Sequence, residues 1–255
     1  MKARLTLAVA GVTLMAATVA SAASIVGSKH DMSATTTTAG ETTQICIFCH
    51  TPHNPVAQIP LWNRTGQNAN TVFKLYTSSS TLDMYNAVSA GFKPSGFTTN
   101  SISLFCMSCH DGSPLGGGVH NHPSDAQGAF AADKRNSRGG GSGTYTGDVI
   151  SGTAADLRTK FGTDLTKSHP VNIPYNAALD ANKAFYAASG ALINGGGTLT
   201  NGLPLFKATF GATTLLSVEC SSCHAVHGSK AMSGSTNFLR TTMAGSKLCL
   251  GCHNK

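Results

Sequence analysis

Apolar residues are concentrated at the N-terminus of the chain and occur elsewhere only in short, interrupted groups. The uncharged stretch from Leu5 to Ala20 is preceded by Lys2 and Arg4, and small residues follow it in Ala20-Ser21-Ala22. A basic start, a short apolar region and a small-residue cleavage site predict a secretory signal peptide over residues 1–22. The stretch is short and diluted with Ala and Thr for a membrane-spanning helix, and no later segment is apolar enough to span. We therefore expect an exported protein.

The polar and apolar positions of the mature chain predict little regular structure. Residues 70–88 show some apolar periodicity and predict a short helix or two. The strongest helix prediction covers residues 176–192, where a run of glycines then ends the pattern. A Thr-rich stretch at 33–43 predicts an extended surface arm, and a Gly-, Ser- and Thr-rich stretch at 136–155 predicts a loop.

A five-residue pattern, Cys-x-x-Cys-His, occurs four times in the chain. Motifs 1 to 4 are Cys46–His50, Cys106–His110, Cys220–His224 and Cys249–His253, with second cysteines Cys49, Cys109, Cys223 and Cys252. Two thiols on one helical turn can form thioethers with the vinyl groups of a porphyrin, and the next residue then binds the iron as its first axial ligand. The motifs use all eight cysteines, so they predict four covalently attached haem c groups.

Eight cysteines also have two other common uses. An exported chain can use them as a disulfide scaffold, and paired Cys-x-x-Cys motifs often hold zinc. Neither use requires a histidine after every second cysteine, and zinc favours pairs at short, regular spacing. The four motifs are irregularly spaced along this sequence. Haem attachment is therefore the preferred interpretation, and zinc and disulfides are its alternatives.

The composition is poor in core-forming residues for a chain of this length. Aromatic residues make up 7% of the sequence, which has one tryptophan and 28 glycines among its 255 residues. Four porphyrins would supply the apolar surface that the side chains lack. We therefore predict a haem-organised multihaem cytochrome c, mostly coil with short α-helices and little or no β-sheet.

The basic charge balance does not indicate a nucleic-acid partner. The formal charge of +7 falls to +5 when Lys2 and Arg4 leave with the signal peptide. Four haems add about eight propionate carboxylates, which would bring the net charge of the loaded protein to about −3. No basic run interleaved with aromatic residues supports nucleic-acid binding either.

Six histidines lie outside the motifs and are candidates for the second axial ligands: His30, His53, His120, His122, His169 and His227. His53 and His227 each follow a motif histidine by three residues. Residues three apart share one face of a helix, so the two imidazoles cannot bind one iron from opposite sides of a porphyrin. We therefore expect His53 and His227 to bind a neighbouring haem, which would bring haems into close pairs. The alternative is that they face solvent or a propionate.

Motifs and spare histidines recur in the same order in two halves of the chain. Each half has an isolated histidine (His30 or His169), a motif followed by a further histidine (His53 or His227), and then a second motif. Each half therefore contains two motif histidines and two further histidines, which are the four ligands that two bis-histidine haems require. His120 and His122 remain as surface residues, or as a ligand that replaces one of these four.

This order predicts a single tetrahaem domain over residues 23–255. Its two dihaem halves cover about 23–135 and 156–255, and the loop predicted above joins them. The last motif ends at His253, two residues before the end of the sequence. We therefore expect one edge of that haem to face outwards or towards a partner.

Residues for other chemistry are scarce. Five methionines remain after the signal peptide, and core packing is the expected role for most of them, since none lies in a recognisable ligand loop. Glu41 and Glu219 are the only glutamates, and no carboxylate pair or Ser/His/Asp order stands out. We therefore expect an electron carrier and not an enzyme.

Five segments resemble the outer-surface multihaem c-type cytochromes of metal-reducing bacteria. They are Gly27–Ser33, Cys49–Asn54, Pro60–Asn63, Cys109–Gly112 and Ser168–Val171. With four haems, the chain is most similar to tetrahaem members that polymerise into extracellular nanowires. The resemblance implies bis-histidine haems in alternating parallel-stacked and T-shaped contacts, and protomers that continue the haem chain end to end. It also implies that His30, His53, His169 and His227 are the distal ligands, one of which can come from a neighbouring subunit.

The motifs and the resemblance together predict extracellular electron transfer by a subunit of a conductive cytochrome filament, outside the cell or at its surface. The expected partners are further copies of the chain, other redox cytochromes and extracellular electron acceptors, without nucleic acid or a membrane span. A monomeric periplasmic shuttle with the same bis-histidine haems is the alternative. A third possibility, a multihaem reductase, would require an iron with a vacant site.

Overall fold

The computed structural model of the chain describes residues 25–26, 30–31, 33, 42–57, 60–64, 73–78, 96–111, 119–122, 124, 162–180, 182–199, 201–228 and 238–255. These ranges include all eight cysteines and all ten histidines. The predicted signal peptide and the loop predicted at 136–155 lie outside them, as do most of residues 33–43 and 70–88.

The described residues form five strands in two small antiparallel sheets. The strands are β1 (Ile173–Pro174), β2 (Leu192–Ile193), β3 (Leu203–Pro204), β4 (Phe206–Phe210) and β5 (Thr213–Val218). β1, β5 and β4 form one sheet in that order, and β2 pairs with β3. The β4–β5 hairpin turns at Gly211, whose φ of 60° is left-handed and costs glycine little. β5 leads through Glu219 into motif 3, so the larger sheet positions that motif.

Helical segments are short, and most of them carry cysteine motifs. Helix α1 (Ser103–His110) contains motif 2, and helix α2 (Cys220–Cys223) contains the thiols of motif 3. The 3₁₀ turns at Cys46–Phe48 and Cys249–Gly251 belong to motifs 1 and 4. Three further 3₁₀ turns cover Ala177–Leu179, Gly195–Gly197 and Ala244–Ser246. Strands β4 and β5 are rich in Thr, Phe and Leu and were not among the elements that the sequence predicted.

The helix predicted over residues 176–192 is not formed by the described part of that segment, and this prediction was wrong. Only Ala177–Leu179 makes one 3₁₀ turn. The Asp180 carboxylate then accepts the backbone N–H of Ala184, a side-chain bond that competes with the helical one. Lys183 follows with a φ of 49°, in the left-handed region that ends a right-handed helix.

Residues 73–78 contain no helix, although the periodicity of residues 70–88 predicted a short one. Lys74 pairs with Asp164 in a parallel bridge, and Leu165 N–H donates to the Lys74 carbonyl at 2.8 Å. Phe73 and Leu75 are buried on either side of this pairing. The rest of the segment lies outside the described residues.

The hydrophobic core of the described residues consists of small separate clusters. The largest contains Phe73, Leu75, Phe97, Met107 and Leu165, a second contains Tyr175, Ile193 and Leu205, and a third contains Phe48 and Val119. Ser33 and Thr42, at the two ends of the Thr-rich stretch predicted to be a surface arm, are both buried. Within the ranges given above, no helix has the length and apolarity needed to cross a membrane.

Candidate functional site

Each motif lies on one tight helical turn, which brings its two thiols to one side. In motif 1 the backbone N–H of His50 donates to the Cys46 carbonyl at 2.7 Å. The same bond forms in motifs 3 and 4, at 3.0 and 2.9 Å. A bond from residue i to residue i−4 closes one α-helical turn, so the histidine projects from the end of the turn that carries both thiols. Motif 2 has this geometry within the eight residues of α1.

A short antiparallel backbone pairing holds the histidine of motifs 1, 3 and 4. The pairs are His50 with Trp62, His224 with Leu239 and His253 with Phe185. In motif 1, the N–H of Thr51 donates to the Leu61 carbonyl, and the N–H of Asn63 donates to the Cys49 carbonyl. Motifs 3 and 4 form the same two bonds on either side of their own histidine. These bonds are 2.7–2.9 Å long in all three motifs. We refer to the three pairings as the histidine clamps. In motif 2, the His110 carbonyl instead accepts the N–H of Gly162 at 3.2 Å.

Two histidine clamps contain a non-glycine residue with a left-handed backbone. The residue before the clamp partner is Leu61 in motif 1, with a φ of 62°, and Phe238 in motif 3, with a φ of 53°. A residue with a Cβ pays about 1–2 kcal/mol for this conformation. Phe238 makes a contact that offsets the cost, because its ring stacks on the imidazole of His30 with centroids 4.7 Å apart.

Three pairs of imidazoles face each other across gaps of similar size. The ring centroids are 6.1 Å apart for His30 and His110, 6.0 Å for His50 and His227, and 6.4 Å for His169 and His253. In every pair one member is a motif histidine and the other is a predicted distal ligand. The two members also come from distant parts of the sequence.

This spacing fits one iron between two imidazoles. A bond between a metal and an imidazole nitrogen is about 2 Å long, and the ring centre lies about 1 Å further, so two imidazoles on opposite sides of one iron have centroids about 6 Å apart. The observed separations of 6.0–6.4 Å match that value. The residues therefore fit haem at motifs 1, 2 and 4, where His227, His30 and His169 would be the second ligands. When bound, each haem would supply a one-electron carrier.

Hydrogen bonds to backbone carbonyls orient two of these imidazoles. Nδ1 of His50 lies 2.7 Å from the carbonyl oxygen of Pro60, and Nδ1 of His169 lies 2.9 Å from that of Pro170. A carbonyl only accepts hydrogen bonds, so Nδ1 carries the proton in both rings. Nε2 is then left with the lone pair that a metal requires.

His30 lies in a crowded, buried position between motifs 2 and 3. Burial and, to a smaller extent, the charges of His110, His224 and His227 lower its pKa to about 4. Burial, followed by the nearby His169, also lowers the pKa of His253. Both imidazoles are therefore neutral at physiological pH, and the neutral form is the one that binds a metal.

His53, the fourth predicted distal ligand, lies at the surface. Its imidazole is exposed, and its backbone carbonyl accepts Nδ2 of Asn121 at 3.1 Å. The reserve histidines His120 and His122 are exposed next to it, and Nε2 of His120 lies 3.3 Å from Nδ2 of Asn54. The structure thus places three of the four predicted distal ligands next to a motif histidine. His53, the fourth, lies at the surface instead.

The motif thiols lie mostly in apolar surroundings. Burial raises the pKa of Cys49 to about 12, of Cys223 to about 11 and of Cys252 to about 12. Such positions favour an uncharged sulfur, as in a thioether, over a thiolate. All eight cysteines are free of disulfide bonds. Across the described ranges, no group of three or more His, Cys, Asp or Glu side chains is arranged to hold a metal ion.

Thiols of successive motifs are close enough to interact. The pairs are Cys49 with Cys109, Cys106 with Cys220, and Cys223 with Cys249. The middle pair is linked by a hydrogen bond, which raises the pKa of Cys106 well above its usual value and lowers that of Cys220. Successive motifs are therefore neighbours in the fold.

Two arginines hold the backbone of motifs 2 and 3. Nε of Arg64 donates to the carbonyl of Ser108, inside motif 2, at 3.3 Å, and Nε of Arg240 donates to that of Ser221, inside motif 3, at 2.8 Å. Arg64 is only 1% exposed. Arg240 belongs to the clamp of motif 3, so this clamp segment supports its motif from two sides. Arg64 follows the clamp segment of motif 1 and links it to motif 2.

Two aromatic residues that the sequence patterns did not indicate pack on motif imidazoles. Trp62 lies edge-on to His50 with ring centroids 5.6 Å apart, and the centroid of Phe185 lies 4.5 Å from that of His253. Both residues are clamp partners. The partner follows its histidine in motifs 1 and 3 but precedes it in motif 4, so no fixed spacing in the sequence could have found it.

Thiol pairs on helical turns, a histidine after each pair that is clamped in three of the four motifs, and facing imidazoles define the site of a c-type cytochrome-like protein. The family described as "Doubled CXXCH motif" matches residues 215–255, which contain motifs 3 and 4. The match indicates covalently attached haem c and electron transfer as the activity of such a site. No curated protein matches the chain.

Proposed function

We propose that this chain is a tetrahaem c-type cytochrome that transfers electrons outside the cytoplasm, as a subunit of a conductive filament. The observation that carries the electron-transfer part is the facing of motif and non-motif imidazoles in three pairs at 6.0–6.4 Å. Motif 3 has the same helical turn and histidine clamp as motifs 1 and 4, and we assign the fourth haem to it.

Ligation by two imidazoles favours electron transfer over catalysis. Two imidazoles would fill both axial positions of such an iron and would leave no open site for a substrate. Axial ligands set haem potentials within a range of about 0.8 V, and two imidazoles favour its low end. The order of neighbouring thiols, from motif 1 to motif 4, supports one continuous path for electrons through the protomer.

Two features support the filament. The first is the resemblance of the sequence to the tetrahaem nanowire cytochrome OmcE, in which protomers continue one haem chain. The second is the exposure of His53 beside His120 and His122, because an imidazole at the surface can reach a haem of another protomer. On this proposal the protomers associate head to tail, and one distal ligand crosses between them.

The second candidate function is a monomeric periplasmic shuttle with the same bis-histidine haems. Exposed His53, His120 and His122 would then be ordinary surface residues. The haem chemistry would be the same, and only the assembly would differ.

Purified protein from a host that attaches haem c would test each part of the proposal. We expect a mass that includes four haems, a low-spin spectrum, and filaments by negative-stain electron microscopy. Particles of one fixed mass on a sizing column, without filaments, would favour the shuttle. A high-spin signal with rapid carbon monoxide binding in the reduced protein would favour a reductase. Colourless protein would exclude all three.

A further inference from the structure

A buried carboxylate lies where the segments of motifs 2 and 3 meet. Glu219 immediately precedes Cys220 and is only 1% exposed. It is the N-cap residue of α2, and its backbone N–H donates to Oγ of Ser222 at 3.0 Å. Burying a carboxylate is costly unless hydrogen bonds replace those that it loses to water. The groups that surround Glu219 supply such bonds.

Four neutral groups donate to the two oxygens of this carboxylate. Oε2 accepts the hydroxyls of Ser101 and Ser103 at 2.6 and 2.5 Å. Oε1 accepts the Ser217 hydroxyl at 2.6 Å and Nδ2 of Asn172 at 3.0 Å. An ionised carboxylate accepts at all four positions, whereas a protonated one would turn its own hydrogen towards one of these donors. The arrangement therefore suits an anion, and none of the four donors cancels its charge.

The donors belong to several haem-bearing segments. Ser101 and Ser103 lie at the start of α1, which carries motif 2, and Asn172 follows the predicted ligand His169 by three residues. Ser103 also accepts the backbone N–H of Cys220 at 3.0 Å, so the start of α1 is bonded directly to the start of α2. The thiols of Cys106 and Cys220 share a hydrogen bond close by. Glu219 thus lies between the attachment points of two haems.

We propose that Glu219 is a positioning residue that fixes α1 against α2, and that its charge lowers the reduction potentials of the haems at motifs 2 and 3. This inference rests on the proposed function, since it requires haem at both motifs. Taking up one electron changes a ferric haem to a ferrous one and removes one positive charge beside the carboxylate. In a buried, weakly polarisable setting the anion therefore favours the ferric state.

Glu219→Gln tests the charge while keeping the size and shape of the side chain. The intact haem-loaded protein is titrated with dithionite and ferricyanide in the presence of mediators, and the haem absorbance is followed against potential. We expect two of the four haem transitions to move to more positive potentials and the other two to stay. Asp164→Asn is the matched control, because Asp164 is exposed and water screens its charge. It should leave all four transitions unchanged.

Two further variants separate charge from structure. Glu219→Asp keeps the charge, so its potentials should stay near those of the unmodified protein even if its unfolding midpoint falls. Ser101→Ala removes one donor and leaves the charge less compensated, so the same two transitions should move to more negative potentials. This shift in reduction potential is opposite in sign to the shift expected for Glu219→Gln. A structural disturbance common to both variants would shift the potentials in the same direction.

The outcomes distinguish this inference from the proposed function. Haem-loaded Glu219→Gln with an unshifted titration would overturn the role of Glu219 and leave the cytochrome intact. If that variant does not fold, Ser101→Ala decides, and a positive or absent shift there rejects the inference. An unmodified chain that carries no haem overturns both.

Discussion

The imidazoles of His50 and His227 face each other with ring centroids 6.0 Å apart, although they belong to different halves of the chain. His227 follows motif 3 by three residues, yet it faces the histidine of motif 1. An iron held between them would tie the two halves together. Because the hydrophobic clusters of the described residues are small, we expect much of the cohesion between the halves to depend on such ties.

Replacing His227 by alanine should open the sixth position of one haem. We expect a high-spin signal from about one haem in four, and carbon monoxide binding to that haem in the reduced protein. His122→Ala is the control, since that side chain is exposed and outside the three imidazole pairs. A His227→Ala protein that remains fully low-spin would show that another residue ligates this iron.

Glycine at the two left-handed clamp positions should have opposite effects. Leu61 is 40% exposed, so Leu61→Gly mainly removes backbone strain. We expect it to raise the free energy of unfolding by about 0.5–1 kcal/mol. Phe238→Gly also loses the stacked contact with His30, and we expect a net loss of about 1–2 kcal/mol. Thermal unfolding of the haem-loaded variants measures both changes in stability. If the two substitutions changed the free energy of unfolding in the same direction, the strain argument would be wrong.

Asn63→Asp should be strongly destabilising despite its identical shape. Asn63 is fully buried, and its Nδ2 donates to the carbonyls of Ile47 at 2.6 Å and Asn121 at 2.9 Å. Aspartate would set a carboxylate oxygen against both carbonyls, at a cost of about 2–4 kcal/mol. Asn100→Asp, at an exposed asparagine that bonds Thr209, is the matched control and should cost far less. Denaturant unfolding would give the two differences, and similar values would refute the burial argument.

Gly195→Ala should destabilise the packing of residues 195–197 against the backbone of motif 4. A Cβ at Gly195 would lie 2.8 Å from the backbone oxygen of Leu250, and the φ of 58° is unfavourable for alanine. We expect a loss of about 2–4 kcal/mol from strain and overlap together. At Gly211 the φ is 60° but nothing lies within 4 Å of an added Cβ. Gly211→Ala should therefore show the strain alone, about 1–2 kcal/mol. Equal losses in an unfolding titration would mean that the contact with motif 4 has no effect.

Removing one thiol pair should remove one haem. For Cys249→Ala combined with Cys252→Ala, we expect the intact mass to fall by one haem while the other three remain. Mass spectrometry of the denatured protein checks this, because denaturation releases only non-covalently held haem. An unchanged haem content would argue against attachment at motif 4.

The sequence predicted the chemistry of the site better than its architecture. Thiol pairs and motif histidines are local in the chain, so spacing alone was enough to find them. His30, His169 and His227 were predicted as distal ligands from their number and order, and each lies within 6.0–6.4 Å of a motif histidine, measured between ring centroids. Their role as ligands stays a prediction. The position of His53 could not be predicted, because exposure depends on which segments pack over a residue.

Other features escaped prediction for identifiable reasons. The helix expected at residues 176–192 was wrong because apolar spacing does not register the Asp180 side-chain bond or the left-handed Lys183. The clamp partners Trp62 and Phe185 meet their histidines through backbone pairing at unequal sequence distances. Glu219 was considered only for acid–base chemistry, since its four donors come together only in the folded chain.

The histidine clamp also bears on how such proteins diversify. It uses backbone N–H and C=O groups, and its second strand comes from downstream in motifs 1 and 3 but from upstream in motif 4. A segment that forms a clamp can therefore change its side chains, or lie on either side of its motif in the sequence, and still make the backbone bonds that hold the histidine.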